Sequence, residues 1–173
     1  MLILDESATT DAKFGCDPYE RNIESLLDAG VILVDKPRGP TSHQLTAWAR
    51  EMLGIQRLGH GGTLDPFATG LLTMLCGKAT RLTEMVLTGD KKYIAIVKLG
   101  RQINATELEK LLKSLTGEIY NVPPLESAVK VRVRTRIIHE MNIIDSDLES
   151  NIFTISISCN AGTYIRTLAR DIG

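Results

Sequence analysis

Gly59-His60-Gly61-Gly62-Thr63-Leu64-Asp65-Pro66 is the stretch on which the reading of this chain turns. It sets one acidic side chain at the end of a glycine-rich loop, immediately before a proline. Glycines let the backbone turn tightly, and Pro66 restricts the conformation of the residue that precedes it. The loop therefore presents a carboxylate at a fixed place without sinking it in a core. The plain alternative is structural, because Asp-Pro pairs commonly open turns.

Working outward, the loop is bracketed by periodic segments. Gly30 to Asp35 is a short continuous apolar run that reads as a buried strand. Thr41 with Gln44 makes a capping box, and Leu45, Trp48, Ala49 and Met52 supply an apolar stripe for the helix that follows. Leu71–Cys76 reads as a second buried strand and 79–87 as a helix. In 92–99, Tyr93, Ala95, Val97 and Leu99 alternate on one side of a strand. Thr106 and Glu109 read as a second capping box, before a helix with Leu108, Leu111, Leu112 and Leu115 inward and Gly117 at its C-terminal cap. Asn151–Cys159 alternates again, and a helix over 163–171 carries Ile165 and Leu168 inward. Helices and strands mix without strict βαβ alternation. The expectation is an α+β fold, with a mixed, mostly antiparallel sheet flanked by helices.

The chain of 173 residues is 43% apolar, which suits one domain with a sizeable core. No apolar run is long enough to span a bilayer, and the N-terminus lacks a signal-peptide pattern. Cys16, Cys76 and Cys159 are remote from one another, which reads as reduced thiols in a reducing compartment. The net charge of -1 conceals a division. Residues 1–28 hold seven acidic and two basic side chains, whereas the remainder holds eighteen basic and fourteen acidic ones. Residues 1–22 read as an acidic extension and 23–173 as the folded domain. Within the basic part, Lys130, Arg132, Arg134 and Arg136 alternate along an extended segment, so their charges share one side. Such a row suits RNA phosphates, or else protects a solvated edge strand from aggregation.

Four segments occur in a fixed order: Lys36-Pro37-Arg38-Gly39-Pro40-Thr41-Ser42-His43, the Asp65 loop, Lys92-Tyr93, and Gly162-Thr163-Tyr164-Ile165-Arg166. Together they resemble the TruB/dyskerin family of RNA pseudouridine synthases. The resemblance covers roughly 23–173 and identifies that region as a pseudouridine synthase catalytic domain. It implies that Asp65 is the essential carboxylate, that Arg166 pairs with it, and that Tyr93 stacks on the target base. An anion suits the electron-deficient ribose left when the C1′–N1 bond breaks. His60 admits three readings: a satisfied loop histidine, a metal ligand or an RNA contact. No second histidine or cysteine stands at ligand spacing, so neither a metal nor a cofactor is expected. The resemblance places His60 near a uridine that has been flipped from its stack. For Lys36 and Arg38, the resemblance implies mainly a brace for the active-site loop.

The short connection from 110 to 125, running into Val122-Pro123-Pro124 and the arginine row, is similar to the archaeal and eukaryotic branch, the catalytic subunit of box H/ACA ribonucleoproteins. That branch implies guide RNA, substrate rRNA or tRNA, and H/ACA ribonucleoprotein subunits as partners. The chain ends one turn after the Arg166 motif, without the PUA domain that family members carry, and reads as C-terminally truncated. Absent lysine-rich tails point to an archaeal-like, cytoplasmic protein. A stand-alone tRNA pseudouridine synthase and a non-catalytic RNA-binding remnant are the alternatives.

Overall fold

The computed structural model describes residues 7, 9, 11, 13–124 and 132–173. The chain divides into two compact units, Met1–Val86 and Leu87–Gly173. Each has its own antiparallel sheet with helices against it, in keeping with the expected α+β class.

In the first unit, a 3-10 turn at Pro18–Glu20 precedes helix α1 (Ile23–Ala29), which Asn22 caps by accepting the Ser25 N–H. Strand β1 (Val31–Lys36), helix α2 (Ser42–Met52), strand β2 (Leu58–His60) and strand β3 (Gly70–Cys76) follow. The sheet order is β1-β3-β2. Its central strand holds the apolar interior, with Leu72, Met74, Leu75 and Cys76 buried.

The expected strand over Gly30 to Asp35 is present, but it is not buried on both faces. Val31 and Leu33 are 53% and 66% exposed, since β1 is an edge strand whose burial alternates. The capping box of α2 forms as read, from Thr41 and Gln44. Its stripe is only half inward: Leu45 and Ala49 are partly buried, whereas Trp48 and Met52 face outward and Ser42 and Thr46 form the buried side. The helix expected over 79–87 divides into a 3-10 segment (Gly77–Leu82) and a short helix α3 (Thr83–Thr88).

The second unit opens with strand β4 (Lys91–Lys98), helix α4 (Ala105–Ser114) and strand β5 (Gly117–Asn121). Strands β6 (Arg134–Asp147) and β7 (Ile152–Cys159) form a long hairpin, and helix α5 (Ile165–Ile172) closes the chain. The order β4-β7-β6-β5 is antiparallel throughout. One face packs on α4 and α5. Val97, Phe153, Ile155, Ile157 and Ile138 from the sheet meet Leu108, Leu112, Leu168 and Ile172 from the helices. The alternation read in β4 and β7 is what produces that face.

Two caps differ from expectation. Asn104, not Thr106, caps α4, and its box partner is Glu107 rather than Glu109. Leu115 is the C-cap of α4, while Gly117, with φ of 100°, begins β5. The last helix starts at Ile165, two residues after Thr163, with Tyr164 as its N-cap.

Candidate active site

Asp65 is half-buried in the first unit, on the connection between β2 and β3. Its carbonyl accepts the Ala68 N–H at 3.0 Å, which closes a four-residue turn with Pro66 in second place, where proline's fixed φ fits. The turn is pinned on both flanks by side chains from the motif that begins at Lys36. On the N-terminal flank, the Leu64 N–H donates to Ser42 Oγ at 3.0 Å, and the Ser42 side chain is fully buried. On the C-terminal flank, Lys36 donates to the carbonyls of Pro66 at 3.4 Å and Ala68 at 2.9 Å, as well as to Pro37 at 2.9 Å. The Gly39 N–H adds a 2.8 Å bond to the Pro66 carbonyl.

Lys36 is 0% exposed. A buried ammonium is costly unless its donors are satisfied, and three carbonyl dipoles meet that need. The brace expected of this segment is thus present in atomic detail. Arg38, by contrast, is exposed.

The entry to the loop is equally constrained. Gly61 is buried, and its N–H donates to the Thr73 carbonyl at 2.8 Å. A Cβ at Gly61 would stand 2.2 Å from a Val86 methyl, so only glycine fits. His60 Nδ1 lies 2.5 Å from the Gly62 carbonyl. A carbonyl only accepts, so this nitrogen carries the proton and Nε2 is left as an acceptor when the ring is neutral. The His43 ring meets His60 edge-on, with centroids 4.7 Å apart and planes at 87°. Burial holds the His60 pKa below its ordinary value of 6.5. The Gly62 bond opposes that shift and neighbouring His43 adds to it. At neutral pH His60 is therefore an uncharged acceptor, five residues ahead of Asp65.

Tyr93 and Arg166 belong to the second unit. Tyr93 stands on β4 opposite Ile157, half-buried on the sheet face that carries the core. Arg166 is half-buried in the first turn of α5. The start of that helix is held by a residue that sequence reading missed. Asn121, 1% exposed, accepts the Tyr164 N–H at 2.8 Å and donates to the Tyr164 carbonyl at 3.3 Å. Thr167 adds a bond to the Val122 carbonyl at 2.7 Å. The only sequence signal for Asn121 was its place just ahead of Val122-Pro123-Pro124.

The arginine row separates into different environments. Arg132 and Arg134 are exposed, whereas Arg136 is half-buried and bonded to backbone carbonyls. Lys130 lies outside the described residues. Among those described, no group of three or more His, Cys, Asp or Glu side chains is placed to hold a metal, and no helix is long and apolar enough to cross a membrane. Burial raises the pKa of the Cys76 and Cys159 thiols, which keeps them protonated at neutral pH.

The family model for the TruB family pseudouridylate synthase (N terminal domain) matches residues 50–165, and the DKCLD (NUC011) domain model matches residues 1–46. A protein of Methanocaldococcus jannaschii named probable tRNA pseudouridine synthase B is 44% identical over 172 residues, covering 99% of this chain and 51% of that protein. The protein of the same name from Methanothermobacter thermautotrophicus is 40% identical over 168 residues, covering 97% of this chain and 51% of its own length. Among solved structures, a Cbf5-Nop10-Gar1 complex contains a chain that superposes with a TM-score of 0.89 at 40% identity, over 99% of this chain and 52% of that one. An H/ACA RNP bound to a substrate RNA containing 2′-deoxyuridine gives 0.87 at 35% identity, over 99% and 50%. The chain thus spans about half the length of the curated relatives it matches. The family model covers the Asp65 loop, the Tyr93 strand and the turn before Arg166, and with it the chain belongs to the TruB family of pseudouridylate synthases.

Proposed function

We propose that this chain supplies the catalytic region of an enzyme that isomerises uridine in RNA to pseudouridine, directed to its target by a box H/ACA guide RNA. The observation that carries this reading is the Asp65 loop. It is clamped on both flanks by Ser42 and Lys36, inside a chain that the family model matches. The reaction breaks C1′–N1, turns the base, joins C1′ to C5, releases the C5 proton and leaves N1 protonated in its place. In this reading Asp65 provides the carboxylate that meets electron deficiency at the ribose, and Arg166 provides its counter-cation. Tyr93 offers its ring to the extruded uracil, whose removal from the stack costs about a few kcal/mol. His60 contacts the RNA beside the extruded nucleotide, and Lys130 and the exposed arginines engage phosphates. Residues 23–173 act as the catalytic region and 1–22 as an acidic extension.

Guide dependence is supported by the structural neighbours, one an H/ACA RNP bound to a substrate RNA and another a complex of Cbf5 with proteins named Nop10 and Gar1. Proteins of that kind are accordingly the proposed partners, with rRNA or tRNA as substrate, in the cytoplasm of the cell. The name carried by the sequence relatives favours a second reading, a stand-alone tRNA synthase.

Tritium release from RNA labelled at uridine C5 tests both. The intact protein should release tritium with guide RNA and partner proteins, and Asp65→Asn should bind RNA while releasing none. Substantial release by Asp65→Asn would overturn the assignment. Efficient release from a bare tRNA hairpin would select the stand-alone reading.

A further inference from the structure

Arg136 is set apart from its neighbours in the arginine row. It pairs with Ile119 across the β5–β6 ladder and lies two residues before Ile138, so it points to the sheet face that holds the core. Its Nε donates to the Gly162 carbonyl at 3.0 Å, and one Nη donates to the Thr135 carbonyl at 2.9 Å. The loop folds tightly over the guanidinium. Gly162 has φ of 77°, and a Cβ there would come within 2.9 Å of Arg136 Nη2. The same loop is tied to β6 again through Asn160, whose Oδ1 accepts the Ile137 N–H at 3.1 Å and whose N–H donates to the Ile137 carbonyl at 3.0 Å. Asn121 then grips Tyr164 at both backbone positions. Tyr164 has no side-chain cap of its own for α5, so these outside anchors set where the helix begins. Arg166 follows within one turn.

We propose that Arg136 is a positioning residue for Arg166, holding the Gly162–Tyr164 turn in place, and not an RNA ligand like exposed Arg132 and Arg134. A guanidinium offers a fixed fork of donors, and here two of them are engaged by backbone carbonyls of two different segments. That geometry suits a brace better than a phosphate contact. The arrangement couples β6, which leads out of the row, to the turn that delivers Arg166. This inference rests on the pseudouridine synthase reading given above.

The test uses the intact protein with guide RNA and partner proteins. Arg136→Met keeps the stem and removes the donors. It should lower the single-turnover rate at saturating RNA by about ten- to a hundredfold, the scale expected when a reacting group is displaced by about 1 Å. RNA affinity and its salt dependence should hold. Arg136→Lys restores one donor for the Gly162 carbonyl and should recover a large part of the rate. Arg134→Gln should instead weaken binding and reduce the salt slope by about one unit. Hydrogen exchange across 162–168 gives a second readout, faster in Arg136→Met and unchanged in Arg134→Gln. An Arg136→Met protein that loses affinity and salt slope but keeps its single-turnover rate would overturn the proposal. Should the parent isomerise no RNA, the functional reading fails by itself. Exchange then still decides: unaltered exchange in Arg136→Met would refute the brace.

Discussion

Lys36 and Ala68 are joined by a 2.9 Å hydrogen bond across 32 positions of sequence, from the buried end of β1 to the far side of the turn that carries Asp65. With Ser42 holding Leu64 on the other side, the carboxylate stands between two fixed backbone points. A reacting group gains from such preorganisation, because small displacements cost rate steeply.

Lys36→Met should therefore affect both stability and turnover. The apolar stem is retained, but the Ala68 carbonyl loses its lysine donor and the Pro66 carbonyl keeps the Gly39 N–H alone of its two. The expected loss is about 1–3 kcal/mol, the scale for a polar group left unsatisfied on burial. Lys36→Arg should not rescue it, since the larger planar fork does not fit a site with no exposed surface. Denaturant melting reports the first effect and tritium release the second. A Lys36→Met protein of parental stability would show that the bonds to the loop contribute nothing.

Ser42→Ala removes the acceptor of the Leu64 N–H and leaves the Thr41 cap of α2 intact. The helix should persist by circular dichroism while the thermal midpoint falls, by an amount equivalent to about 1–3 kcal/mol. If the helix signal fell instead, Ser42 would belong to the cap rather than to the loop.

Gly61→Ala drives a methyl into the Val86 side chain, 2.2 Å from one γ carbon and 2.8 Å from the β carbon. Overpacking of this kind costs about 1–3 kcal/mol. Combining it with Val86→Ala removes the nearer clash but not the farther one, so the double variant should recover part of the loss. Strict additivity of the two changes in a double-mutant cycle would contradict the contact.

The pH dependence follows from His60. Burial lowers its folded pKa below 6.5, so at and below that pH the unfolded chain binds more protons than the folded one. The corresponding stability is present above pH 6.5 and declines as pH falls through 6.5 toward the folded pKa. Urea midpoints measured at pH 7.5 and 5.5 should fall further in the parent than in His60→Gln. Equal declines would show that His60 does not titrate with folding.

Much of the second unit was legible in sequence. In β7 apolar residues alternate with polar ones from Phe153 to Cys159, and a period of two permits only one inward face, whereas β4 alternates in burial but not in composition, with apolar Ile94 and Ile96 on its exposed face. The four leucines of α4 likewise declared their side. Reading stumbled where two local solutions were equally good. Asn104 with Glu107 and Thr106 with Glu109 both satisfy the capping pattern, and only the helix's packing selects the first. The run beginning at Val31 was read as buried because an unbroken apolar stretch does not disclose how many of its faces are covered.

By itself, then, the order of residues determined the α+β class, the strands that alternate, the Thr41 cap of α2 and the loop that presents Asp65, because these depend on neighbours a few positions apart. The tertiary structure alone decided what holds that loop and the Arg166 turn. A lysine is almost never buried, so nothing local marks Lys36 as a core residue. Its burial becomes favourable only when β1 pairs with β3 and the loop leading into β3 brings the carbonyls of Pro66 and Ala68 to its ammonium. Arg136 follows the same logic. Alternation put it in line with Arg132 and Arg134, but the carbonyl that takes its Nε–H is 26 residues away, and a bond of that separation exists only once the strands between are in register.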